Sequence, residues 1–164
     1  MLPAEIESWL ATLTERPANL IVDGNDSGRR TDVLDQVEAK ILALGTEALR
    51  VPYGQLAAAS GRDARLLQAA LSGDPWSEAV ARQARQSEVL IVDDFAVGEA
   101  SYDEVYGVFT VVDERSQHLR PIALATPYSR DEIFHLLNAN EQEAVLAEKV
   151  VSRLFHDAVV VTIP

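Results

Sequence analysis

The chain contains no cysteine, which excludes disulfides and thiolate-ligated metals. Histidine is scarce: only His118, His135 and His156 occur, without metal-ligand spacing. No apolar run reaches the ~18–20 residues of a membrane span. The opening MLPAEIESWLATLTERP carries acids and no basic leader segment. We therefore expect a cytoplasmic protein with no membrane contact and no structural metal. Lysine is nearly missing too, with Lys40 and Lys149 alone among 14 basic residues. Against these stand 26 acidic residues, for a net charge of −12. A monomer so charged repels a polyphosphate backbone unless its arginines cluster. Direct DNA binding is not expected, and basic protein surfaces suit the chain better.

What is present fits one domain, spanning 1–164 with a short leading helix in 1–16. A length of 164 residues with 48% hydrophobic content supports one real core. In the leading helix Ile6, Trp9, Leu10 and Leu13 share a side, and Pro17 stops it. NLIVDG (19–24) is an apolar run without alternation, as in a strand covered on both faces. Thr31–Leu44 reads as a helix, with Val33 or Leu34, Val37, Ile41 and Leu44 at 3–4 spacing and Gly45 as its stop. Residues 47–54 read as a strand weakened by Pro52. Helices are expected near 62–71 and 76–86, and a strand at 88–94. Ser101–Gln117 reads as a helix despite the strand propensity of VFTVV. A strand at 120–126, helices from about Ser129 and at 141–154, and a strand at 157–163 complete the chain. Strands alternating with helices predict a parallel α/β sheet covered on both faces, with ligands at the carboxyl ends of the strands.

The turn after the first strand, GNDSGRRT, has the layout of a phosphate-binding P-loop. Such loops use glycines to bring backbone N–H groups to phosphate, a lysine as a mobile charge, and a hydroxyl for Mg²⁺. Gly24 and Thr31 fit the frame, Thr31 as the metal-binding hydroxyl. Arg29 stands at the inner glycine and Arg30 at the lysine. Shifting the frame by one makes Gly28 the inner glycine but loses the hydroxyl. Arginine is a poor substitute because its rigid fork cannot place a compact charge, and Asp26 adds negative charge where phosphate would lie. A polar strand–helix turn without a ligand is the plain alternative. A second signal is VLIVDD, a buried strand ending in Asp93 and Asp94. In P-loop proteins the first such acid orients Mg²⁺ and the second serves the attacking water, although strand-end turns favour Asp in any case.

With both features placed, residues 17–163 resemble the AAA+ ATPases of bacterial replication, in particular the helicase-loader and replication-initiator group. Asp93-Asp94 match its Walker B pair. RPIALATPYSRDEIFHLL (120–137) resembles the sensor-1 strand and its helix. LAEKVVSRLFHDAVVVTI (146–163) resembles the segment before the last strand, which puts Arg153 at the arginine-finger position one turn after Lys149. The resemblance implies a P-loop NTPase, AAA+-like three-layer sandwich with a mainly parallel five-stranded sheet, and no C-terminal lid. It implies catalytic roles for Asp93, Asp94 and Arg153. Gly24, Gly28, Arg29, Arg30 and Thr31 would hold ATP or ADP, with Mg²⁺ on Thr31 and Asp93. Its partners would be a replicative helicase or another AAA+ protein, or further copies of itself.

The departures matter as much. The Walker lysine is Arg30, and the sensor-1 asparagine falls at Pro127, where Thr126 is a partial substitute. Losing one such electrostatic contact costs about 3 kcal/mol of transition-state stabilisation. We therefore expect an impaired or lost ATPase acting through protein contacts in DNA replication or a related DNA transaction. One alternative is an active helicase-loader or transposition-type ATPase using Arg30. Another is a doubly wound domain outside the P-loop class, which strand order would reveal. Arg153 on a helix with Glu143 and Glu148 also reads as a solvated-face residue. Trp76 and Tyr53 read as packing residues, and His135 and His156 as surface or core-edge ones.

Overall fold

The computed structural model describes residues 2–61, 75–98, 101–138 and 144–164, with backbone alone at 75–78. The described helices are α1 (Ala4–Thr12), α2 (Ser27–Ala43), α3 (Tyr53–Ser60), α4 (Pro75–Gln86), α5 (Tyr102–Gln117), α6 (Arg130–Leu137) and α7 (Ala144–Phe155). The strands are β1 (Leu20–Asp23), β2 (Ala48–Pro52), β3 (Val89–Asp93), β4 (Ile122–Thr126) and β5 (Val159–Thr162). All pairings are parallel, in the order β2-β3-β4-β1-β5. β4 therefore lies between β1 and β3, which separates this sheet from a flavodoxin-type order.

The period-2 alternation of strand side chains divides the interior into two cores. Leu20, Val22, Val89, Ile91, Ala123 and Ala125 face α1 and α2, joined by Ile6, Trp9, Leu34, Val37 and Ile41. Ile21, Leu90, Val92, Ile122 and Leu124 face the opposite layer, built by α3 to α7. Central strands buried on both faces explain why they read as unbroken apolar runs.

Several boundaries differ from the sequence reading. The helix after β1 begins at Ser27, not Thr31, because Asp26 caps it by accepting from the Arg29 N–H at 3.0 Å. Leu44 is 59% exposed and outside the core. Pro52 ends β2 on an edge strand, and a helix over Tyr53–Ser60 follows, so that Tyr53 and Gly54 are helical where the expected strand ran on to 54. The expected helix near 62–71 and the start of the one at 141 lie outside the described residues, as does the side chain of Trp76. Ser101 and Ser129 each start a helix through a capping box, with Glu104 and Glu132. Backbone N–H and hydroxyl donors of Ser129 hold the Glu132 carboxyl below its ordinary range.

Two polar residues tie the N-terminal edge of the sheet. Asn19 donates to Arg153 O and Leu154 O at 3.2 and 3.0 Å and accepts from Ile122 N–H at 2.9 Å. Arg115, fully buried in the last turn of α5, donates from Nη1 to Ala84 O (2.7 Å) and Ser87 O (3.0 Å). Its Nη2 donates to Glu88 O (3.2 Å) and Pro121 O (2.8 Å).

Tyr53 is buried and meets Phe95 edge-on at 4.9 Å between ring centroids. Its hydroxyl has no hydrogen-bond partner among the described residues, and burial raises its pKa. Tyr53→Phe is expected to leave stability unchanged or raise it by about 1 kcal/mol. It should also flatten the loss of stability above about pH 10, where the unfolded phenol ionises before the folded one. Urea titrations at pH 7 and pH 10.5 check both; a loss above 1 kcal/mol at pH 7 would mean the hydroxyl is bonded.

Candidate functional site

The β1–α2 turn is short. Asp23 ends β1, and only Gly24, Asn25 and the cap Asp26 precede the helix. Gly24 adopts φ +147, and a Cβ there would lie 2.3 Å from Ile163 O. The chain leaving β5 passes that close, with Ile163 N–H donating to Asp23 O at 2.7 Å. Gly28, Arg29, Arg30 and Thr31 all belong to the first turn or so of α2. The N–H of Arg29 is taken by the Asp26 side chain and that of Arg30 by Asp26 O at 3.1 Å. Two backbone donors of the turn are thus spent on the helix start.

The arginine side chains turn to the protein. Arg30 is only 4% exposed, and its guanidinium donates to Gly24 O and pairs with Asp94 Oδ1 at 3.1 Å. Arg29 is exposed and donates to Pro164 O at 2.8 Å. Thr31 is exposed on the helix surface.

Asp93 and Asp94 close β3 at the same end of the sheet. Asp93 is gripped by Arg50 through two hydrogen bonds, Nε to Oδ2 at 2.7 Å and Nη2 to Oδ1 at 2.9 Å. Arg50 also pairs with Asp35 and, at 3.0 Å, Glu38 on α2. Hydrogen bonding to Asp93, against a burial cost, raises the Arg50 pKa further above its ordinary value. Asp94 adopts φ 50 and is exposed. Thr126 is fully buried; its hydroxyl donates to Phe95 O at 2.9 Å and accepts from Tyr128 N–H at 3.2 Å. It fastens the β3 and β4 turns, beside Pro127.

Arg153 lies at the other end. Asn19, just before β1, bonds its carbonyl, whereas Asp93 ends β3. Its guanidinium pairs with Asp113 at 2.5 Å and sits 5.9 Å from the Phe109 ring centroid, with Lys149 Nζ at 5.6 Å. Strands four to five residues long separate Arg153 from the two aspartates. It cannot serve them within one chain. His135 and His156 are exposed.

Sequence reasoning missed Arg50. Its signal was a lone cation inside the apolar strand ALRVP, and the parallel register Pro52↔Asp93 brings it beside the acid. These residues do not fit a magnesium nucleotide as they stand. Both Asp93 oxygens are engaged, the turn is closed by its own cap, and carboxylates outnumber guanidiniums around it. Among the described residues no group of three or more His, Cys, Asp or Glu is arranged to hold a metal.

The sequence matches no protein-family model and no curated protein. Solved structures do match the fold. DnaI superposes with a TM-score of 0.78 at 18% identity, covering 97% of this chain and 81% of that one. The DnaC helicase loader matches with a TM-score of 0.70 at 18% identity, covering 97% and 86%. AMPPCP-bound DnaA from Aquifex aeolicus matches with a TM-score of 0.71 at 12% identity, covering 99% of this chain but 48% of that chain. The chain thus spans about half of that initiator. At these identities the likeness is one of fold: the five-stranded parallel sheet is that of an AAA+ P-loop NTPase core.

Proposed function

We propose that this chain is an AAA+-like core that no longer hydrolyses ATP and acts through protein contacts in DNA replication or a related DNA transaction. The observation that carries the reading is the double occupation of the Walker-type acids by the chain's own arginines, Arg50 on Asp93 and Arg30 on Asp94. A bidentate guanidinium–carboxylate pair is strong and directional, and it stands where a metal would have to bind. Asp26 also takes the N–H groups of Arg29 and Arg30 and places a carboxylate in the turn, which weakens a phosphate cradle there. The shared fold of a helicase loader and of initiators supports a partner of that kind, a replicative helicase or another AAA+ protein. The net charge of −12 favours a basic protein face over bare DNA. Arg153, on the far side from the acids, would have to leave Asp113 to act on a neighbouring subunit.

Calorimetric titration of Mg-ATP and Mg-ADP tests this. No saturable heat is expected at ligand concentrations up to about 1 mM, equivalent to binding weaker than about −4 kcal/mol. Arg30→Lys alone should not restore binding, because Asp93 stays gripped by Arg50. Micromolar binding abolished by Asp93→Ala, or turnover near the median enzyme value of about 10 s⁻¹, would instead establish an active ATPase that uses Arg30.

A further inference from the structure

At the N-terminal edge of the sheet, away from Asp93, a cleft of about 230 Å³ opens between α5, α7 and the segments entering β1 and β4. Arg115, Ser116, Arg120, Arg153, His156 and Asp157 are among its lining residues. Two of the cations are balanced: Arg153 by Asp113 at 2.5 Å, and His156 by Asp157 at 3.6 Å whenever the imidazole is protonated. The other two are not. Arg115 donates to carbonyls and to the Ser87 hydroxyl, and Arg120 donates to Arg85 O at 2.9 Å. Neither has a carboxylate partner among the described residues. Burial, and then the charge of Arg120, push the Arg115 guanidinium down to about 9. It remains a cation at neutral pH, and its buried Nε has no partner among the described residues.

We infer that this cleft binds a small oxyanion, a phosphate or carboxylate group, through Arg120 and the field of the buried Arg115. Burial of an uncompensated charge is costly, and an anion seated beside both guanidiniums offsets it. The planar guanidinium of Arg120, with one donor on Arg85 O, keeps others to meet the oxygens of either group. The volume lies below the ~300 Å³ at which drug-sized ligand pockets begin, so it suits one anionic head group. In a chain with 26 acidic residues, two unneutralised arginines at one cleft are a local reversal of sign. This inference is independent of any loss of ATPase activity.

The test is an amide-shift NMR titration of the full chain with sodium phosphate and, separately, sodium acetate, each matched in ionic strength with sodium chloride. Saturable shifts at Ser116, Leu119, Arg120 and His156 are expected. Tighter phosphate than acetate identifies a phosphate ligand, and the reverse order a carboxylate. Arg120→Gln should weaken binding about ten-fold, the value of one charge-assisted hydrogen bond. Ser116→Asp, on an exposed helix position, should block the cleft with its own carboxylate without disturbing the fold. Arg130→Gln, whose guanidinium pairs with Glu148 outside the cleft, should change nothing. No saturable shift with either anion, or unchanged titrations in both Arg120→Gln and Ser116→Asp, overturns the inference.

Discussion

Replacing Arg115 with alanine is expected to remove about 3–5 kcal/mol of stability, the range seen when one partner of a buried charged network is deleted. The guanidinium holds Ala84 O, Ser87 O, Glu88 O and Pro121 O together. It thereby fastens the end of α4, the entry to β3 and the entry to β4. Truncation leaves those carbonyls without their donor and opens a cavity among them. At roughly 2–4 °C per kcal/mol for a chain of this size, the midpoint of thermal unfolding should fall by about 10 °C. Arg115→Met separates the two contributions, since it keeps the apolar stem but supplies no donor. It should lose nearly as much as alanine. Were methionine as stable as wild type, the carbonyls would have to be satisfied some other way and the role assigned to Arg115 would be wrong.

Gly107→Ala should destabilise the protein by about 2–3 kcal/mol, although helix propensity alone favours alanine by about 1 kcal/mol. A Cβ on Gly107 would lie 2.2 Å from Ser60 O, 2.3 Å from Ser60 C and 2.7 Å from Gly61 N. All three are backbone atoms at the end of α3, so no side chain can rotate away. α5 and α3 would have to separate, loosening the packing of Val105, Val108, Leu56 and Ala57 in the same core. Urea unfolding of Gly107→Ala beside an exposed-site control, Gly54→Ala, isolates the clash, because a Cβ at Gly54 meets nothing within 4 Å. A stabilised Gly107→Ala would contradict the close crossing.

Much of the fold was legible because the central strands are apolar on both faces and the helices carry clean stripes. Ile6, Trp9 and Leu10 fell inside as their spacing predicts, and so did Leu34, Val37 and Ile41. The boundaries failed where a side chain competes with periodicity. Asp26 starts α2 early by capping it, and Pro52 ends β2 while opening α3. Gly107 carried no signal in the sequence, and its reason is the α3 backbone across from it. For the site, the missing lysine and asparagine could be read directly. The pairing of Arg50 with Asp93 could not, since it depends on a parallel register between segments far apart in sequence.

The strand order carries a further consequence, for the order of events at the ribosome. β2 and β3 can pair as soon as both have emerged. β1, though made first, has only β4 and β5 as neighbours. Until Ile122–Thr126 appears, the nascent chain holds an unpaired apolar strand and a separate two-stranded fragment, each with bare edges. Insertion of β4 then joins them in one step, sealed by Asn19 on the Ile122 N–H. Such non-local closure is slow and leaves sticky intermediates. The interval before β4 emerges, rather than the finished molecule, is therefore where this protein is most exposed to aggregation.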